Sequence, residues 1–334
     1  MQSNRNSQVD KQVPDHPYHH LNIPDNAPFT LKASPGKGWG AFATKNIPKG
    51  STILIEKPFF HIQKHHDFIT EHDLRRAFQQ LSPASKAQFS LLRDNASVYF
   101  TSMEGAFSEN SFATTDPPGH GLYLLHSRFN HSCLPNAGVP IHKGTAMTSY
   151  AFSDILKGEE ITICYNTDFG CRTREDRHLQ LRFVCNCKAC LPGTPFQTLS
   201  DMRRMLIRGL QYLLHGTDLD ECVSSIIFDA ELKRNAEAFN IPLSARLIYR
   251  LLTMVLLENE GLLDDFTVKR MEPGILPLAL SFQTTSNLEL AVLAVAQQRW
   301  IEKLCAALKL WGRKDEADRA VAIRLKISRG LPPL

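Results

Sequence analysis

The run Cys185-Asn186-Cys187-Lys188-Ala189-Cys190 places three thiols within six residues. Three thiolates on one tight loop suit zinc, which favours soft sulfur ligands in tetrahedral geometry. A closed structural site needs a fourth ligand, which must come from elsewhere in the chain. Upstream, Asn130-His131-Ser132-Cys133-Leu134-Pro135-Asn136 sets a histidine close to a cysteine. A nucleophile and its base usually meet across a fold, so this adjacency does not identify a catalytic pair by itself. Gly158-Glu159-Glu160-Ile161-Thr162-Ile163-Cys164-Tyr165 is a turn feeding a strand that ends in tyrosine, a position more often filled by a half-buried packing residue. Gly38-Trp39-Gly40 belongs to a glycine turn that permits close backbone approach to a ligand. It has neither the spacing of a dinucleotide fingerprint nor the Lys-Ser/Thr of a phosphate loop, and alone it reads as a hairpin turn.

The elements that must position these residues follow from local pattern. Phe29-Thr30-Leu31-Lys32-Ala33 alternates, Ser34 to Gly40 is a glycine-rich turn, and Ala41 to Thr44 and Thr52 to Ile55 continue in β-rich text. Residues 66–95 read as helix, with Phe68, Leu74, Phe78, Leu81, Phe89 and Leu92 on a compatible face and Pro83 breaking it in two. Residues 137–165 return to β, with Lys143-Gly144 and Lys157-Gly158 as turns. Beyond Pro195, Leu, Ala, Glu and Arg dominate and predict helices over about 199–215, 219–238, 244–260, 286–311 and 314–328. Pro14, Pro17 and Pro24 make residues 1–27 an expected flexible tail.

Composition sets the outer bounds. The chain has 334 residues, 43% of them apolar, enough to bury a sizeable core, and a net charge of only +4. A strongly basic nucleic-acid surface is therefore not expected. Apolar runs are short and broken by charges, so no membrane span is expected, and the polar N-terminus has no signal-peptide core. Six of the eight cysteines fall between Cys133 and Cys190 and none precedes them. In such a chain that clustering points to metal or thiol chemistry rather than a disulfide scaffold. Cys164, Cys171, Cys222 and Cys305 read as ordinary thiols, and His61, His65 and His66 as a solvated surface.

Taken in order, the motifs resemble those of SET-domain protein lysine methyltransferases, nearest to the SET-and-MYND type. The resemblance runs through Gly38-Trp39-Gly40, Asn110-Ser111-Phe112, Gly121-Leu122-Tyr123, Asn130 to Asn136, Gly158 to Tyr165 and Cys185 to Cys190, over residues 29–192. It implies an α+β SET fold of small, knot-like β-sheets with a zinc-binding post-SET loop, followed by an all-helical C-terminal domain. The implied domains are 28–170 with a helical insert at about 63–97, a post-SET segment 171–196, and 197–334.

The resemblance also implies roles. S-adenosylmethionine would be bound by Lys37, Gly38, Trp39, Gly40, Asn110, Ser127, Asn130, His131 and Phe183. Tyr165 would be the catalytic tyrosine, and Phe112, Ile163 and Leu181 would line the substrate channel. Cys133 would join Cys185, Cys187 and Cys190 in one zinc site. The expected partner is a lysine-bearing protein segment, histone or otherwise, and the expected state is a monomer in nucleus or cytoplasm. Residues 57–98 hold no cysteine, so the MYND finger of that type is expected to be absent. Leu181 replaces a frequent second channel tyrosine, and a catalytically weak or inactive SET scaffold acting as a protein-interaction module is the competing reading.

Overall fold

The computed structural model describes residues 15–94, 96–139, 144–181, 183–215 and 243–269, with Glu231, Arg234, Ala238 and Met271. Residues 1–14 and the helices expected over 219–238, 286–311 and 314–328 lie outside the described residues, apart from the three single positions Glu231, Arg234 and Ala238. So do Cys222 and Cys305.

The chain divides into two compact units. The first runs to Asn130 and includes Val139–Thr162. It opens with β1 (Phe29–Ser34) and β2 (Gly38–Ala43), an antiparallel hairpin in which Ser34 opposes Gly38. The turn is Ser34-Pro35-Gly36-Lys37, closed by the Lys37 amide donating to the Ser34 carbonyl at 3.0 Å. Proline at its second position presets φ, and Gly36 supplies φ +73° at the third. Gly38-Trp39-Gly40 thus begins β2 rather than lying in the turn, because the turn needs only four residues. β3 (Thr52–Glu56) follows, then β4 (His61–Ile62).

Residues 66–95, expected to be helical with a break at Pro83, carry α1 (Glu71–Gln79) and α2 (Pro83–Phe89). Thr70 and Asp73 form a reciprocal capping box on α1, and Pro83 sits in the first turn of α2 behind the Ser82 cap. A third helix, α3 (Met103–Asn110), leads into β5 (Ser111–Thr115) and β6 (Pro118–Leu122). β6 pairs antiparallel with both β5 and β4. After β7 (Asn130–His131) and β8 (Ala137–Gly138), β9 (Met147–Ala151) pairs with β3. β10 (Glu160–Ile163) pairs with β2, Ile161 opposite Ala41.

One difference from the sequence reading lies at the N-terminus. Residues 15–27, expected in the flexible tail, carry a one-turn helix at Pro17–His20 and bury Tyr18 and Leu21. The Tyr18 hydroxyl donates to the Arg93 carbonyl at 2.7 Å and accepts from the Arg93 amide at 3.0 Å. It also accepts from Arg128, whose guanidinium lies over the Tyr18 ring. A single anchored aromatic orders this stretch, where composition alone sees only prolines and histidines.

The second unit comprises His131–Gly138 and the chain from Ile163. It contains a short turn at Thr167–Cys171, α4 (Arg174–Gln180) with a Thr173/Asp176 capping box, α5 (Pro195–His215) and α6 (Leu243–Glu260). α5 and α6 agree with the helices expected near 199–215 and 244–260. Its core includes Phe169, Ala189, Ile207, Leu251 and Met254.

Candidate functional site

Within the first unit the glycine strand is held by a polar clasp. Asn130 Nδ2 donates to the Trp39 carbonyl at 3.2 Å and to Glu160 Oε1 at 2.8 Å. Lys37 Nζ donates to Glu160 Oε2 at 2.9 Å. Burial opposes the Glu160 charge, but hydrogen bonds from Asn130, Lys37 and Ser34 outweigh it and hold the carboxyl below its usual range. The clasp explains Gly40. A Cβ there would sit 2.5 Å from Glu160 Oε1 and 2.6 Å from Asn130 Nδ2, inside any real carbon contact. Lys37 has three donors, so its pair with Glu160 leaves capacity for a ligand carboxylate. Trp39 is partly covered: the His16 ring stacks on it, centroids 4.1 Å apart.

Two expected cofactor residues, Asn110 and Ser127, have hydrogen-bond partners inside the protein. Asn110 is fully buried, its Nδ2 donating to the Ala106 carbonyl at 2.7 Å and its Oδ1 accepting from Arg128. Each end of the amide makes one such bond in the interior. Ser127 Oγ donates to the Leu124 carbonyl at 3.0 Å and accepts from Arg128 at 3.2 Å. Phe112 packs edge-on against Tyr123, ring centroids 5.7 Å apart. Burial, reinforced by the negative charge of Glu56, pushes the Tyr123 phenol up to about 12.

The second unit brings together the remaining expected residues. His131 is buried and lies at the centre of an aromatic group, 5.1 Å from Tyr165, 5.9 Å from Phe183 and 5.6 Å from Phe169 between ring centroids. Its Nδ1 accepts from the Tyr165 amide at 3.1 Å, and its Nε2 lies 3.2 Å from Cys133 Sγ. Tyr165 and Phe183 face each other edge-on at 6.3 Å and are exposed, 49% and 40%. Exposed aromatic faces beside a buried histidine form a surface that can receive a ligand. Ile163 is buried, and its carbonyl accepts from the Ser132 amide at 3.0 Å. Leu181 packs against the cysteine cluster.

Beneath this group, Cys133, Cys185, Cys187 and Cys190 converge, their sulfurs all within 4.8 Å of one another. Cys133 Sγ is 3.9 Å from Cys185 Sγ and 3.5 Å from Cys190 Sγ. Four sulfurs at about 2.3 Å from a tetrahedral zinc are about 3.8 Å apart, so the set fits the ion. The separations are far beyond the ~2.05 Å of a disulfide. Hydrogen bonds among the sulfurs divide them: Cys133, chiefly through Cys185, is pushed far above the ordinary thiol range. Cys187, chiefly through Cys133, is held far below it, and Cys185 falls to about 7, again chiefly through Cys133. Cys133 pulls Cys190 down, but Cys185 and Cys187 outweigh it and push that thiol up as well, so a cation bound here would displace protons from Cys133 and Cys190. Cys164 and Cys171 are separate thiols, each raised to about 11 by burial.

The sequence reading missed the groups that frame the cluster. Arg177 and Arg204 are fully buried. Arg204 donates to the carbonyls of Cys133, at 3.0 Å, and Phe169, and pairs with the buried Glu260 of α6 at 2.9 Å. Glu260 also pairs with Arg203 at 2.7 Å and accepts from Ser200. Glu160, the clasp of the glycine strand, was missed as well. Each is an ordinary charged residue in sequence, and only a partner elsewhere in the chain marks it.

Residues 38–166 match the SET domain family. "Histone-lysine N-methyltransferase set5" of Schizosaccharomyces pombe is 28% identical over 177 residues, covering 51% of this chain and 53% of that protein. "Protein-lysine N-trimethyltransferase SMYD5" of Danio rerio is 42% identical over 82 residues, 22% of this chain and 19% of that protein. "Histone-lysine N-methyltransferase SMYD3" of Homo sapiens is 42% identical over 76 residues, 22% and 17% respectively. The chain spans about half, or less, of the length of these curated relatives.

Proposed function

We propose, from the SET domain that this chain carries over residues 38–166, that it is an S-adenosylmethionine-dependent protein-lysine N-methyltransferase. The observation that carries this is the stacking of parts in the second unit. The tyrosine expected at the reaction centre is hydrogen-bonded through its backbone to His131, and His131 reaches Cys133 of the four-cysteine cluster. A structural zinc held by Cys133, Cys185, Cys187 and Cys190 would fix the segment that bears Phe183.

S-adenosylmethionine supplies a methyl group on a positively charged sulfur. A lysine of ordinary pKa, about 10.4, is protonated at neutral pH and must lose its proton to attack. A channel that excludes water from it disfavours its charged form by desolvation. A shift of about 2–3 units corresponds to roughly 3–4 kcal/mol. The Tyr165 hydroxyl orients the amine, and no strong general base is required. Lys37 and the backbone of Gly38–Gly40 hold the cofactor's charged end, with Asn130 and Glu160 keeping that strand in place. The substrate is a protein segment bearing lysine, histone or non-histone.

The test is methyl transfer from radiolabelled S-adenosylmethionine to histones and to cell extract, with Tyr165→Phe as the control. Labelling by the native chain that falls by at least tenfold in Tyr165→Phe supports the reading. A zinc-loaded chain that neither binds the cofactor nor labels any protein refutes it.

A further inference from the structure

A four-thiolate zinc site carries a net charge of about −2, and buried charge is costly unless it is matched. On the reading that the four cysteines hold one zinc, the surroundings of Cys190 therefore matter. Arg177 is fully buried, on α4. Its Nη2 donates to Cys190 Sγ at 3.3 Å and to the Ala189 carbonyl at 3.0 Å. Its Nη1 donates to the Arg172 carbonyl at 2.6 Å. The carboxylate paired with it, Asp201 Oδ1 on α5, is a loose 3.6 Å away and is also occupied by the Arg174 amide at 2.7 Å. Arg174 in turn donates to the Cys190 carbonyl at 2.7 Å. The two carbonyls fix the plane of the guanidinium, and that plane points an N–H at a metal-binding sulfur.

We propose that Arg177 is a positioning residue of the metal centre. It donates a charge-assisted hydrogen bond to the Cys190 thiolate, offsets part of the site's negative charge, and is aimed by the Arg172 and Ala189 carbonyls, with Asp201 of the helical segment as its looser charge partner. Loss of such an outer partner typically weakens metal retention by about 10- to 100-fold. The helical segment then takes part in holding the post-SET loop closed.

The experiment uses the full chain loaded with zinc, reading release to a chromophoric chelator, and the same chain loaded with cobalt(II), reading the thiolate-to-cobalt absorption. Arg177→Met is expected to release zinc about tenfold faster or more. Arg177→Lys keeps a charge but cannot span two carbonyls and a sulfur at once, so it should fall between. Its cobalt absorption should move to longer wavelength, because a sulfur that loses a hydrogen bond gives up electron density more readily. The cobalt band reports on the sulfur itself, and a general loosening of the fold does not move it in this way. Should Arg177→Met fail to fold, Arg177→Lys and Asp201→Asn carry the test. Zinc release at the native rate in a folded Arg177 variant, or an unmoved cobalt band in Arg177→Lys, overturns the proposal while leaving the zinc site intact. A native chain that binds no zinc overturns both.

Discussion

The glycine at position 40 offers the sharpest test of how the first unit is built. Replacing it with alanine adds one methyl group. That carbon would lie 2.5 Å from Glu160 Oε1 and 2.6 Å from Asn130 Nδ2, where real contacts essentially never fall below 3.0 Å. Both atoms must retreat by about half an ångström, and they hold each other at 2.8 Å. Breaking one charge-assisted hydrogen bond costs about 1.5–3 kcal/mol. Gly40→Ala should therefore lose about 2 kcal/mol of folding stability. If the clasp frames the cofactor strand, affinity for S-adenosylhomocysteine should fall about 30-fold, the equivalent of the same energy. Gly36→Ala is the control. Its φ of +73° penalises a side chain by roughly 1–2 kcal/mol, but nothing lies within 4 Å of the added carbon. It should lose stability without losing cofactor affinity. Urea unfolding and isothermal titration measure both quantities. A Gly40→Ala chain with native midpoint and native affinity would show that the clasp constrains nothing.

Cys187→Ser should reduce bound zinc from about one ion per chain to near zero by metal analysis; unchanged content would remove the four-sulfur assignment. Glu160 titrates below its usual value in the folded chain, so its stabilisation is complete above about pH 4.5 and disappears as pH falls through the lower folded value. Glu160→Gln should therefore flatten the acid limb of stability below about pH 4.5, measured by urea unfolding, and a limb of unchanged slope contradicts the pairing. Glu260→Leu strands the Arg204 charge in the interior and should cost about 3–5 kcal/mol, while Arg204→Met with Glu260→Leu should recover a large part. Additive losses in that pair would deny the coupling.

What could be read in advance was whatever leaves a local trace. Cysteines at fixed offsets, a proline at the start of α2 and a proline-glycine turn before β2 each declare themselves within a few residues. α5 and α6 were visible through composition. The residues that hold the site together left no such trace. Glu160 alternates along β10 like any strand residue, and its partners Lys37 and Asn130 are 123 and 30 positions away. Arg177 and Arg204 look like solvent-facing helix charges, yet each is buried with its guanidinium on backbone carbonyls, those of Arg172 and Ala189 for Arg177 and of Cys133 and Phe169 for Arg204. Asn110 was read through its motif, and its bonds to Arg128 and Ala106 left no trace there.

The hydroxyl of Tyr18 has a practical bearing on where this fold starts. It fills a donor–acceptor junction with Arg93 and Arg128 that a chain trimmed to begin at Phe29 would leave open in the interior. Such trimming would also uncover one face of Trp39. The stretch expected as a flexible tail is therefore a keystone, and the folding unit includes Tyr18, upstream of its first strand.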